Sequence, residues 1–333
     1  MISIVSSVSD INALQWNELV ATSPTSSFFQ TRECYDFYAS LSFLKPFIFA
    51  VTESDKLVGL ICGYVISNGN VLKQFFSRRA IVPGGLLLDA QISDTALQNL
   101  LEHTARELSR KAIYLEVRNY NDYASYRASF ESAGFSYKEH LNFHVATHDV
   151  DSALMQLNKT KRRYVKLSQK EGAESSESID SEEIKAFYII LEQLYKTKIK
   201  TPLFPCEFFE KLVELSHGKI FVVKYEGKII GGSVCVFLPN QIVYEWFVCG
   251  LDGQIKNIFP STLATWAGIE YAAKNGYHHF DMMGAGKPDE GYGVRVFKSE
   301  FGGELVEHGR FLFICQPMLY SLGKYIVIKI KSK

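Results

Sequence analysis

The residues able to do chemistry gather in the C-terminal half of this sequence. Lys298 follows Phe297 and precedes Ser299-Glu300-Phe301-Gly302-Gly303. Phe297 and Phe301, spaced i,i+4, share one face of a short helix, so they can anchor it to a core while Lys298 points elsewhere from a rigid support. The alternative is an ordinary surface lysine before a glycine break. Glu245, between Tyr244 and Trp246, is a carboxylate inside an apolar strand. It reads either as a proton acceptor or as a neighbour's ion-pair partner. Asp281, at the end of the strand His278-His279-Phe280-Asp281, is a second candidate acceptor or the cap of the turn that follows. His278 and His279 are adjacent and point to opposite faces of that strand, so they cannot chelate one metal together, and no metal site is expected. In Asn158–Lys170, if helical, Lys159, Arg162, Arg163, Lys166 and Lys170 fall at i, i+3, i+4, i+7 and i+11. That is one continuous basic stripe, either an anion site or a solvated face.

The elements that must position these residues repeat in order. Pro46–Val51 and Leu57–Tyr64 read as strands joined by the turn Glu53-Ser54-Asp55-Lys56. After Val82-Pro83-Gly84-Gly85-Leu86 comes an amphipathic helix over Thr95–Lys111, then the strand Ile113–Val117. A short helix from Tyr126 to Ala133 ends at Gly134, and Tyr137–His144 is strand-like. The second half follows the same plan. Lys219–Tyr225 and Ile229–Leu238 flank the tight turn Glu226-Gly227-Lys228, and Gln241–Cys249 is a third strand. Pro260 opens a long helix that runs through Lys274 and ends at Gly276. The short helix at Phe297 follows, and Glu304–Ile314 reads as a final strand. Phe47–Val65 matches Ile220–Leu238, and Phe130–Gly134 matches Phe297–Gly302 with one residue inserted. A repeat this long is a domain and not a solenoid unit.

The chain has 333 residues, 47% hydrophobic and 22% charged, with 36 basic and 36 acidic side chains. Its length accommodates two domains, each with its own core. Zero net charge argues against a protein that binds nucleic acid over its whole surface but leaves room for a local basic site. Six cysteines without CxxC or Cys/His spacing argue against structural zinc and fit reduced core residues. With no basic and apolar leader and no window long enough to span a bilayer, the expectation is a cytoplasmic, soluble protein.

Four stretches carry a resemblance across nearly the whole sequence. They are Phe28-Phe29-Gln30 with its following helix, Val82-Pro83-Gly84-Gly85-Leu86 to Asp89, the basic segment Lys159–Lys170, and Pro260-Ser261 through Phe280-Asp281 to Phe297-Lys298 and Phe301-Gly302-Gly303. The hairpin, long helix and glycine break resemble the GNAT acyltransferase fold, and the particular motifs resemble the FemA/FemB/FemX peptidyltransferases, which carry two such domains. The resemblance implies an α/β fold with mixed sheets, two tandem GNAT-like acyltransferase domains over 1–150 and 151–333, the second opening with the basic helix. It implies transfer of an amino acid from aminoacyl-tRNA to an amine of a cell-envelope, peptidoglycan-type precursor, nucleotide- or lipid-linked, with peripheral membrane contact and no tightly bound cofactor.

On that resemblance Lys298 would stabilise developing negative charge, and Arg162, Arg163 and Lys166 would clamp the acceptor's diphosphate. Tyr292, Phe297, Gly302 and Gly303 would line the substrate site, Phe297 by packing its pocket; the resemblance does not settle which residue is the base, for which Glu245 and Asp281 are the candidates. Two departures stand out. Residues 171–182 are too short and too serine-rich for the helical arm of some members. The Gln/Arg-x-x-Gly-x-Gly/Ala loop that holds coenzyme A pyrophosphate in ordinary GNAT enzymes is missing before Pro260. The second departure favours aminoacyl-tRNA over acyl-CoA as co-substrate. An acyl-CoA-dependent N-acyltransferase of surface polysaccharide and a non-catalytic tandem GNAT binding protein are the alternatives.

Overall fold

The computed structural model describes residues 1–67, 69 and 76–331, with the backbone alone at 324 and 326–331. Local signals build its elements. Thr31 caps the helix Arg32–Ser40 by accepting from the Cys34 amide, and Asn158 caps the helix Lys159–Lys170 by accepting from the Lys161 amide. Glu226 and Gly227, both at positive φ, close the hairpin between Gly218–Tyr225 and Lys228–Leu238.

The chain forms two compact units, Met1–Glu139 with His308–Lys333, and His140–Glu307. The first unit holds a mixed sheet in the order Ile2–Val5, Lys45–Glu53, Lys56–Ile66, Arg79–Gly84, Tyr114–Asn119, Arg310–Ile314, Ser136–Lys138, with Leu87–Leu88 paired to Lys56–Ile66. The second holds another, in the order Glu304–Glu307, Leu141–Ala146, His279–Asp281, Ile242–Gly250, Lys228–Leu238, Gly218–Tyr225, Glu174–Ser178. One pattern underlies both. An antiparallel hairpin leads to a third strand, a helix crosses over, and the next strand lies parallel to the third. In the first unit Arg79–Gly84 and Tyr114–Asn119 make the parallel pair after the helix Asp94–Leu108; in the second Ile242–Gly250 and His279–Asp281 make it after Pro260–Lys274. Lys45–Glu53 and Gly218–Tyr225 hold equivalent places, as the internal repeat predicts.

Two strands that the sequence presents as continuous are each broken. Tyr137–His144 divides into Ser136–Lys138 and Leu141–Ala146, and Glu304–Ile314 into Glu304–Glu307 and Arg310–Ile314. The halves belong to different sheets. Leu141–Ala146 inserts between His279–Asp281 and Glu304–Glu307, while Arg310–Ile314 inserts between Tyr114–Asn119 and Ser136–Lys138. Gly309 makes the second break possible: it sits at φ +63°, where a Cβ would lie 2.2 Å from the Tyr137 ring. A single cut after residue 150 therefore does not separate the units. Residues 140–150 belong to the second unit and 308–331 to the first, because strand pairing outweighs chain order; 332 and 333 lie outside the described residues.

Two of the motifs noted in the sequence meet in the first unit. The Gln30 amide donates to the Gly84 carbonyl at 2.8 Å, and its oxygen accepts from the Ser27 amide at 2.6 Å. A Cβ on Gly84 would lie 2.2 Å from the Ser27 hydroxyl. Phe28-Phe29-Gln30 and Pro83-Gly84-Gly85 thus form a buried structural lock.

Candidate active site

The strand Ile242–Gly250 carries a bulge. Val234 pairs with Phe247 and Cys235 with Glu245, so Trp246 is the extra residue of the bulge. Bulges re-aim side chains and recur beside active sites. Glu245 precedes the bulge and is 3% exposed. Tyr244 pairs with Asp281, so Glu245, one residue on, faces the opposite side of the sheet, toward Thr265 of the helix Pro260–Lys274. Neither of its carboxylate oxygens has a hydrogen-bond partner among the described residues. Burial pushes its carboxyl up to about 7. The Lys298 charge pulls the other way, and the Thr265 hydroxyl adds a weaker pull without hydrogen-bond geometry. An unpartnered buried carboxylate is costly to keep, and such groups concentrate where chemistry is done.

Lys298 lies on the helix Gly293–Ser299 and is 7% exposed. Its Nζ donates to the carbonyls of Met282, Met283 and Gly284, the last at 3.0 Å. Met283 sits at φ +47°, a conformation that turns these carbonyls toward one point. An ammonium has three N–H donors, and all three are engaged. Burial pushes its pKa down, while the carboxylates of Glu245 and Asp281 hold it up. Phe297 and Phe301 anchor the helix as their spacing predicts, with ring centroids 5.2 Å apart and Phe301 fully buried.

Asp281 is fully buried, with one oxygen doubly hydrogen-bonded and the other beside His144. Oδ1 accepts from Asn142 Nδ2 at 2.7 Å and from the Met283 amide at 2.6 Å, and Oδ2 faces His144 Nε2 at 3.3 Å. Burial disfavours the ionised form, yet His144, Asn142 and the Met283 amide outweigh it and hold the carboxyl below its usual range. In turn Asp281 orients His144, whose ring stacks on His279 with centroids 4.5 Å apart. Glu245, Lys298 and Asp281 are therefore brought into one electrostatically coupled group, with the two carboxylates on opposite faces of the sheet.

The basic helix has two faces. Arg162, Arg163, Lys166 and Lys170 line an open depression of about 460 Å³ whose apolar surface comes from Leu154, Met155 and Leu167. None of Lys159, Arg162, Arg163, Lys166 or Lys170 has an acidic partner among the described residues; Arg162 instead reaches the Met155 sulfur at 2.9 Å. Lys161, absent from the predicted stripe, points inward. Its Nζ donates to Thr262 Oγ1 at 3.2 Å, pairs with Glu300 at 3.3 Å and stands 3.9 Å above the Phe297 ring. It pins the basic helix to the helix that carries Lys298.

The remaining predicted residues are placed around this group. Phe297 faces Lys161 and the core. Tyr292 is an exposed residue that packs against Gly286. Gly302 and Gly303 have φ of +79° and +84°, and a Cβ on them would lie 2.4 Å from the Gln156 carbonyl oxygen and 2.5 Å from that of His144. Their role in this geometry is close backbone approach, which fixes the short helix against the strand of His144.

The FemAB family profile matches residues 127–327, more than half of the chain and all of the site just described. The chain belongs to the FemAB family. This FemAB chain is similar to a crystal structure of FemX at 15% identity, over 96% of this chain and 99% of that one, with a TM-score of 0.71. It is also similar to a tandem GNAT protein from the clavulanic acid biosynthesis pathway (11% identity, 95% and 99% covered, TM-score 0.58) and to L-PGS from Bacillus licheniformis (12%, 94% and 96%, TM-score 0.57). At these identities the likeness is one of fold: two tandem GNAT-like units. No curated protein matches the chain. Family and fold together support a transferase.

Sequence reasoning missed Lys161, Asn142, His144 and Asp252 of this FemAB site. Asp252 caps the long helix: its Oδ1 accepts from the Ser261 amide at 3.3 Å and its Oδ2 from the Ser261 hydroxyl. Only Asp252 left a local trace, an acidic residue shortly before Pro260-Ser261.

Proposed function

We propose that the chain transfers an aminoacyl group from charged tRNA to a side-chain amine of a nucleotide- or lipid-linked peptidoglycan precursor. The observation that carries this reading is the buried Glu245 carboxylate, unpartnered, poised at about 7 and coupled to the Lys298 charge. An amine attacking an ester must lose a proton, and a base with pKa near the working pH is the most effective acceptor. In the proposed step the neutral amine bonds to the ester carbonyl carbon and its proton passes to Glu245. The tetrahedral oxygen carries the negative charge until the ribose oxygen leaves and takes up that proton. Lys298 supplies fixed positive potential to this charge. Bonding the oxygen directly would require it to release one of its three carbonyls. His144, oriented by Asp281, lines the opposite face of the sheet. Arg162, Arg163 and Lys166 take the acceptor's diphosphate, for which guanidinium forks suit phosphate oxygens.

Asp252 supports tRNA over coenzyme A as the donor. In ordinary GNAT enzymes the long helix begins at a pyrophosphate loop. Here the chain's own carboxylate occupies the start of that helix, where it would repel a diphosphate. The test is mass spectrometry of muropeptide precursors incubated with the protein and either charged tRNA or acyl-CoA. A mass gain of one aminoacyl residue with charged tRNA is expected. A product with acyl-CoA alone overturns the donor assignment, and no product with either overturns the transfer reading.

A further inference from the structure

Between the strand His279–Asp281 and the helix Gly293–Ser299, every carbonyl from Met282 to Pro288 is engaged. Lys298 Nζ donates to those of Met282, Met283 and Gly284. The Arg295 guanidinium covers the next group. Its Nε donates to the Ala285 carbonyl at 2.9 Å, Nη1 to that of Pro288 at 3.1 Å, and Nη2 to that of Lys287. The remaining carbonyl, Gly286, accepts from the Leu141 amide at 2.8 Å. Residues 295 and 298 are spaced i,i+3, so both cations leave one face of one short helix. Like charges that close repel, and the converging carbonyl oxygens offset the repulsion.

The two ends of the loop are held differently. Its near end is fixed by backbone: the Met282 amide donates to the Phe143 carbonyl at 3.0 Å, the Ala285 amide to that of Leu141 at 2.6 Å, and the Met283 amide to Asp281 Oδ1 at 2.6 Å. Past Gly286 the Arg295 fork ties the loop to the helix. The ion pair there, Lys287–Glu290 at 2.9 Å, is exposed and ties the loop only to itself. Helix, Lys298, loop and Arg295 thus form a closed ring, which loss of Arg295 opens. A buried ammonium whose carbonyls drift apart is costly and turns toward water, away from the buried Glu245. The charges bearing on Lys298 are those of Glu245 and Asp281, and Glu245 in turn feels Lys298 but not Arg295. Any effect of Arg295 on Glu245 must therefore pass through Lys298.

We infer that Arg295 is a positioning residue for Lys298, holding the far half of the loop whose near carbonyls fix the ammonium. Its bearing on the reaction rests on the proposed roles of Glu245 and Lys298, so the first test uses no substrate. Denaturant unfolding of the full chain across the range about pH 5 to about pH 9 reads the pH at which stability falls as Glu245 ionises. Arg295→Met is expected to move that pH upward, in the direction of Lys298→Met and by less, and the double variant to titrate where Lys298→Met does. In the transfer assay the kcat/KM limb should move with it. There kcat should fall about tenfold to a hundredfold, the scale of a misplaced catalytic group, with acceptor KM little changed. Arg295→Lys keeps a cation but loses the fork, so it should shift the titration less; it is read in place of Arg295→Met if that variant does not fold. Folded Arg295 variants that titrate like wild type overturn the inference. So does a double variant shifted beyond Lys298→Met by the full effect of the single change. Wild type that yields no product with either donor overturns the transfer reading instead, and the substrate-free titration still decides the role of Arg295.

Discussion

Replacing Glu245 by Gln should remove a pH dependence of stability that wild type carries. The Glu245 carboxyl rises from an ordinary 4.5 to about 7 in the folded chain, chiefly because burial penalises its charge. Its folded pKa therefore lies above its unfolded one. Between the two values the folded chain keeps a proton that the unfolded chain has released, so stability is fully present below about 4.5 and is lost as pH rises through about 7. One pKa unit corresponds to about 1.4 kcal/mol, so a rise of this size amounts to about 3 kcal/mol. Denaturant unfolding at about pH 5 and about pH 8 should show wild type losing most of that amount, about 2.5 kcal/mol, and Glu245→Gln, which cannot ionise, should lack this part of the loss. The same substitution should abolish the limb near 7 in kcat/KM and lower turnover by about 10²–10⁴-fold, the range of general-base catalysis. A folded Gln variant with the wild-type pH slope, or with wild-type turnover, would refute the assignment of a buried, titrating base.

Lys298→Met should be both unstable and slow. It strands the carbonyls of Met282, Met283 and Gly284, at about 1–3 kcal/mol for each that stays dry, and a melting curve equal to wild type would show that the ammonium does not hold that turn. It also takes away the cation that opposes the rise at Glu245, so the kcat/KM limb should move to higher pH. Arg162→Ala with Arg163→Ala should raise the acceptor KM, by roughly 1.5–3 kcal/mol for each desolvated, charge-assisted hydrogen bond to phosphate that is removed, with a smaller change in kcat and none in melting temperature. Unchanged acceptor affinity in that double variant would make the stripe a solvated face.

Much of the fold was legible because it is written in local periodicity. The hairpin 219–238, the helix opening at Pro260, the Asn158-capped basic helix and the i,i+4 anchor of Phe297 and Phe301 each follow from spacing, capping and turn chemistry within a few residues. Glycine told where the backbone must come close, at Gly302 and Gly303, though not what it would approach. Residue types and spacing also picked out Lys298, Glu245 and Asp281 as chemically capable. Which neighbours they meet was decided by pairing across long stretches of chain. The exchange of Leu141–Ala146 into the second sheet is what delivers Asn142 and His144 to Asp281, and no periodic signal announces a partner well over a hundred residues away. The inward turn of Lys161 was likewise hidden, because helical spacing separates faces without saying which one is covered. Burial, finally, exists only once the core has closed. It alone turns Glu245 from an ordinary carboxylate into one that holds its proton to about 7, by withdrawing the water that would otherwise solvate its charge.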